Sequence, residues 1–150
     1  MSRTSIPSDV FFRGRPGDIR LGEWVVPVET LPPLDRKKRE AVLIGYPDDQ
    51  GVKRNRGRAG AALGPDSIRR QLYKMTIPAD HRWEDRFALY DYGNALVSPK
   101  LSETHGHAEK LAAQVAAAGC AGVVLGGGHD FAAPTFRGFK ASAPKDRKST

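Results

Sequence analysis

Ala121-Gly122-Val123-Val124-Leu125-Gly126-Gly127-Gly128-His129-Asp130 is the stretch on which the reading of this chain turns. A short apolar run of this kind marks a parallel strand buried on both faces. Three glycines at its end let the backbone turn sharply, because glycine takes positive φ without a Cβ penalty. In open α/β sheets, ligands bind beyond the carboxyl ends of the strands. His129 and Asp130 are therefore expected at the rim of a sheet, within reach of a metal or a substrate. A plainer reading stands beside this one: a glycine loop, with a histidine that is hydrogen-bonded and not metal-bound.

Working outward, Ala41 to Pro47 is apolar throughout and reads as a first strand buried on both faces, and Phe87 to Gly93 as a second. Between them Gly64-Pro65-Asp66-Ser67 opens a helix, with proline in the first turn and an aspartate at the positive end of the dipole. Ile68, Leu72 and Met75 fall at helical spacing and are expected to face the core. Leu101 to Gly119 is the clearest helix, with Ser102 as N-cap and Gly119 as its stop. Ala108, Leu111, Ala112, Val115 and Ala116 trace its apolar face. His105 and His107 point to different sides of it and are expected to be an exposed pair, not a metal site. Phe131 to Phe139 starts a further helix. Strand, helix, strand, helix, strand is the order of a right-handed parallel α/β sheet.

The remaining segments carry less pattern. Residues 1–40 hold Pro7, Pro16, Pro27, Pro32 and Pro33 and are expected to wrap the surface as an arm anchored by Phe11, Phe12, Leu21 and Trp24. Asp48 to Leu63 is polar and glycine-rich, an irregular loop of a length that is usually functional. Its Lys53, Arg54, Asn55, Arg56 and Arg58 suit an acidic group on a small substrate, although a mobile loop without a ligand fits equally. His81 to Asp85 reads as a polar linker, and residues 141–150 as a basic tail.

Composition narrows the function. At 150 residues the chain is one domain's worth of sequence, with 39% hydrophobic residues. A single cysteine, Cys120, permits no internal disulfide, and at the start of an apolar strand it is expected to be buried and inert. No apolar run approaches the ~20 residues of a membrane helix, and no secretory leader is evident, so a cytoplasmic protein without membrane contact is expected. The net charge of +7 comes in clusters at Arg36–Arg39, Lys53–Arg58 and Lys145–Lys148. None is interleaved with stacking aromatics, so nucleic acid is not the expected partner. The chain has no Gly-x-Gly-x-x-Gly fingerprint and no Gly-Lys-Ser/Thr, which removes the common nucleotide-binding loops.

Two blocks together carry a family resemblance. Asn55 to Arg69, reading Asn-Arg-Gly-Arg-Ala-Gly-Ala-Ala-Leu-Gly-Pro-Asp-Ser-Ile-Arg, resembles the segment after the first strand in the ureohydrolases: arginase, agmatinase and formimidoylglutamase. Gly126-Gly127-Gly128-His129-Asp130 resembles their first metal-ligand motif. The form of both blocks, together with Gly17 to Glu23, is most similar to the formimidoylglutamase branch.

The resemblance implies an α/β fold of three layers, α-β-α, about a parallel sheet, with residues 41–140 as the N-terminal half of the domain. It implies a binuclear Mn2+ site with His129 as one ligand and Asp130 behind it, orienting a neighbouring ligand or water. The reaction it implies is hydrolysis of a linear amidine, N-formimidoyl-L-glutamate, to L-glutamate and formamide in histidine breakdown. Asn55, Arg56 and Arg58 would recognise the substrate's carboxylates, since an arginine fork matches a carboxylate. Family members run to about twice this length, and their later motifs, Asp-x-His-x-Asp among them, do not occur here.

A chain of this extent is therefore expected to be a truncated form, inactive alone, with no catalytic residue identifiable within it. A homo-oligomer or a complementing C-terminal half would be its partner, and the missing acidic part would account for the basic surplus. Guanidine hydrolysis of the arginase or agmatinase type, or a non-catalytic remnant that binds an anion or a protein, are the alternatives.

Overall fold

The central layer is a five-stranded sheet whose three longer strands run parallel. The computed structural model describes residues 2–33, 35, 37–77 and 83–142, without the side chains of residues 83 and 84. In chain order the elements are β1 (Arg3–Thr4), α1 (Leu21–Trp24), β2 (Val26–Pro27), β3 (Arg39–Gly45), α2 (Gln50–Arg54) and α3 (Gly64–Leu72). They continue with α4 (Trp83–Arg86), β4 (Phe87–Ala95), α5 (Leu101–Ala117), β5 (Ala121–Leu125) and α6 (Ala132–Ala141). Single 3-10 turns lie at Ser8–Val10, Ala61–Leu63 and His129–Phe131.

β3 sits in the middle, parallel to β4 on one side and to β5 on the other. Side chains alternate along a strand, so Val42 and Ile44 face one way and Leu43 the other. The first face packs Val42, Ile44, Tyr46 and Tyr92 against Ala108, Leu111 and Val115 of α5 and against Phe131. The second packs Leu43 and Leu125 against Tyr73, at the end of α3, and against Val10 and Val25 of the N-terminal arm. Helices thus cover both faces, giving the α/β layering expected. Leu111 and Val115 are completely buried, and side chains of this size contribute about 1.5–3 kcal/mol each when fully buried.

Several local expectations are corrected. On α3 only part of the stripe expected to face the core does so: Leu72 is half-buried and packs against it, whereas Ile68 and Met75 are 41% and 57% exposed. The buried side chains are instead Pro65, Arg69 and Tyr73. The inward face carries an arginine, which hydrophobic periodicity cannot register, and Arg69 is held inside by an ion pair. β5 is parallel as expected, but not buried on both faces. Among the described residues it pairs only with β3, which leaves Val123 and Val124 substantially exposed.

The arm is anchored by Val10 and Val25, with Phe11 stacked on Tyr73 at 5.4 Å between ring centroids. Phe12 is exposed, while Leu21 and Trp24 are half-buried. The arm also adds β1, antiparallel, and β2, parallel, to the far edge of β4. The loop expected at 48–63 contains α2 and a 3-10 turn, and residues 83–86 of the expected linker are helical. The basic cluster at 145–148 and the linker residues 81 and 82 lie outside the described residues.

α5 buries Ala108, Leu111, Ala112 and Val115 as its pattern requires, and Gly119 ends it at φ +78°. Ser102 is not its cap. The helix begins one residue earlier, and the Thr104 hydroxyl accepts the Ser98 amide at 2.9 Å.

Candidate functional site

The carboxyl ends of β3 and β5 meet through glycines. Gly126 (φ +59°) and Gly127 (φ +86°) take left-handed backbone conformations. A Cβ on Gly126 would strike the ring of Pro65 at 2.6 Å, and one on Gly127 would collide with the Tyr46 carbonyl. Only residues without side chains let the turn after β5 cross this close to the start of α3 and the exit of β3. Backbone hydrogen bonds lace the two exits together: Tyr46 N donates to Leu125 O at 3.1 Å and Gly128 N to Asp48 O at 3.0 Å.

His129 opens the 3-10 turn that follows and is exposed at the rim, beside a cleft of about 510 Å³ lined by Val124, Phe131, Phe136 and Phe139. Asp130 points back into the protein. Its Oδ2 accepts from His105 Nε2 on α5 at 2.6 Å, and its Oδ1 is buried without a hydrogen-bond partner among the described residues. The His105 ring meets Phe131 edge-on at 5.2 Å. His105 and His107 are therefore not the exposed pair expected: both are half-buried, and His107 Nδ1 donates to the Leu96 carbonyl at 2.8 Å.

α2 lies against this turn. Cβ atoms on Gly51 or Gly128 would run into the Asp130 carboxylate. Two buried aspartates brace the helix start, and the sequence reading did not single them out. Asp48 accepts from the Gln50 backbone amide at 2.8 Å and from the Gln50 side chain at 2.7 Å. Asp49 pairs with Lys53 at 2.7 Å and accepts from the Gly60 amide at 2.8 Å. The Lys53 ammonium first, and the Gly60 N–H second, hold the Asp49 carboxyl below the usual carboxylate range. The position of Asp48-Asp49 directly after the first strand was the available signal.

Asn55, Arg56 and Arg58 are all exposed on the loop that leaves α2, with Arg56 at φ +56°. The Arg56 backbone amide donates to the Lys53 carbonyl at 3.0 Å, but neither the Arg56 nor the Arg58 guanidinium has a hydrogen-bond or ion-pair partner among the described residues. The structure brings Asp130, His105 and Gly51 into one contact group next to the exposed His129, while the two guanidinium groups stand apart as free cations.

Manganese prefers an octahedral set of oxygen and imidazole donors. Among the described residues no three His, Cys, Asp or Glu side chains gather to form one. The unpartnered Asp130 oxygen faces Gly128 and Gly51. The segment thus offers one exposed imidazole and does not by itself form a metal site.

Known proteins resemble the chain along most of its length. The sequence model of the arginase family matches residues 39–148. The formimidoylglutamase of Corynebacterium efficiens is 36% identical over 115 residues, 77% of this chain and 35% of that protein. The formimidoylglutamase of Rhodococcus jostii is 41% identical over 110 residues, 71% of this chain and 32% of its own. The crystal structure of Trypanosoma cruzi formiminoglutamase with Mn2+ superposes with a TM-score of 0.65 at 31% identity, covering 85% of this chain and 41% of that one. The matched stretch spans about a third of the length of the curated relatives.

Proposed function

Because the chain belongs to the arginase family, we propose that it is the metal-ligand-bearing N-terminal part of a formimidoylglutamase-type hydrolase. In this reading residues 1–40 form an arm, 41–140 the first half of the catalytic α/β domain, and 141–150 a basic tail leading onward. The reaction is hydrolysis of N-formimidoyl-L-glutamate to L-glutamate and formamide, a cytoplasmic step of histidine breakdown. The observation that carries it is the exposed His129 imidazole, delivered by a three-glycine turn at the carboxyl end of a parallel strand.

His129 would hold one coordination position of a manganese site whose other ligands lie outside the described residues. Bound manganese supplies a hydroxide-like nucleophile at neutral pH and stabilises developing charge. Asp130, turned inward, supports the ligand turn and does not itself coordinate. The unpaired guanidinium groups of Arg56 and Arg58, with Asn55 beside them, suit the two carboxylates of the substrate. The same free cations favour a second reading, an anion- or protein-binding module without turnover. The 150-residue chain with Mn2+ alone is expected to release no formamide, since one imidazole cannot hold two metal ions.

The test is a chimera in which residues 41–140 replace the matching stretch of the Corynebacterium efficiens formimidoylglutamase. Mn2+-dependent formamide release, abolished by His129→Ala, supports the reading. A rise in KM of about tenfold or more for Arg56→Ala or Arg58→Ala, in keeping with loss of a charged hydrogen bond, assigns those residues to the substrate. A folded chimera that retains full turnover with His129→Ala removes His129 as ligand. Preferred turnover of agmatine or arginine moves the substrate to a guanidine.

A further inference from the structure

The contact group around Asp130 joins three parts of the molecule that are far apart in sequence. His105 comes from α5, Gly51 from α2, and Asp130 from the turn after β5. The Asp130 carboxylate is the piece they share: His105 Nε2 donates to Oδ2 at 2.6 Å, and the Cβ positions of Gly51 and Gly128 are filled by that carboxylate. Phe131 closes the group, edge-on to His105 at 5.2 Å and stacked on Tyr46 at 4.9 Å. Val52 Cγ2 approaches the Cβ position of Gly128 at 3.1 Å, so α2 rests on the turn along two successive residues.

We infer that His105 is a positioning residue, which by gripping Asp130 fixes the His129 turn against α2 and sets the spacing between the ligand histidine and the Asn55–Arg58 loop. The physical case is one of missing alternatives. The 3-10 turn His129–Phe131 is a single turn, closed by one backbone hydrogen bond from Phe131 N to Gly128 O at 3.1 Å. The two glycines before it at positive φ are the most freely rotating residues of the segment. A free carboxylate there could rotate out to solvent, taking His129 with it. A charge-assisted hydrogen bond from a helix packed into the core holds it instead. The absence of side chains at Gly51 and Gly128 is what admits the carboxylate between α2 and the turn.

The function of this joint rests on the reading of His129 as a ligand, but the joint itself is measurable without metal. His105→Phe keeps a ring against Phe131 and removes the donor, and His105→Gln restores an N–H at nearly the same place. His107→Phe is the control, since it deletes a comparable side-chain bond elsewhere on α5. In the metal-free 150-residue chain, His105→Phe is expected to speed hydrogen exchange at the Gly128 and Phe131 amides by about tenfold or more, as local opening does. His105→Gln stays near wild type, and His107→Phe leaves these two amides unchanged. Gly51→Ala, which crowds the carboxylate, produces the same local loosening and serves where His105→Phe does not fold.

Equal exchange in wild type and His105→Phe overturns the inference, as does a His105→Gln variant no better than His105→Phe. So does a loss of protection spread over all of α5 and the sheet, which would mark general destabilisation. In the Corynebacterium efficiens chimera, where the host supplies the remaining ligands, a second readout addresses the ligand itself: selective Mn2+ broadening of the His129 ring protons with His105 intact, weakened in His105→Phe. Absence of that broadening in the chimera with His105 intact counts against the metal reading of His129, while the exchange result still decides the joint.

Discussion

Arg69 and Asp91 form an ion pair in which neither side chain retains any exposed surface. The guanidinium meets the carboxylate as a two-pronged fork, Nε to Oδ2 at 2.6 Å and Nη2 to Oδ1 at 2.8 Å. Its third nitrogen donates to Asn94 Oδ1 at 2.7 Å, and the Tyr73 hydroxyl donates to the same aspartate. The network fastens α3 to β4 beneath the sheet exits, and so fixes where α3 begins, against the Gly126 turn.

Removing one partner of a buried pair leaves the other charge without compensation, which costs about 3–5 kcal/mol. Arg69→Met is therefore expected to lower unfolding stability by about that amount in urea titration. The double variant Arg69→Met, Asp91→Leu should be destabilised by clearly less than the sum of the two single changes. Strict additivity would show that the two residues are not energetically coupled.

Tyr73 sets an alkaline limit. Burial, and then the Asp91 charge beside it, push its phenol well above the ordinary value of about 10. Above pH ~10 the unfolded chain releases this proton while the folded one keeps it, so stability is full below that pH and falls as pH rises. Tyr73→Phe removes this contribution to the slope, although it leaves Asp91 short of one donor. Chemical denaturation between pH 9 and 11 measures the difference, and parallel pH profiles for the two proteins would contradict the assignment.

Two glycine-to-alanine changes should act in opposite directions. Gly127 sits at φ +86° with its Cβ position filled by the Tyr46 carbonyl, so Gly127→Ala lowers Tm and disturbs the His129 turn. Gly106 lies inside α5 with nothing near its Cβ position, so Gly106→Ala stabilises by about 0.5–1 kcal/mol through helix propensity. Thermal melts of the pair check both signs.

Cys120 should be a slow thiol. It is buried, and burial first and the Glu40 carboxylate second raise its pKa above the usual thiol value. Since the thiolate is the reactive form, native-state alkylation at pH 8 should be at least about a hundredfold slower than in denaturant. Comparable rates in the two states would place the thiol at the surface.

The parallel α/β arrangement was legible because each central element carries a strong local signal. Val42 to Ile44 is an unbroken apolar run, the Ala108-Leu111-Ala112-Val115 face repeats at helical spacing, and Gly119 stops the helix with the positive φ that glycine allows. The placement of His129 at a sheet rim followed from the same logic, since a glycine-rich turn after a parallel strand has few other places to go.

Local patterning did not reveal the relationships between distant residues. Ile68, Leu72 and Met75 have the spacing of a core stripe, yet Arg69 occupies the interior because Asp91, 22 residues later, supplies the opposite charge. His105 looked like a surface residue until the turn after β5 brought Asp130 to it, 25 residues on. Hydrophobic periodicity reports which surface leaves water and is blind to a charge that is neutralised by a partner remote in the chain. By itself the sequence determined the three central strands, the helices α3, α5 and α6, and the strand end at which His129 stands. Only the tertiary structure decided which polar groups are buried, because a buried ion pair or a gripped carboxylate exists only once both partners have been brought together.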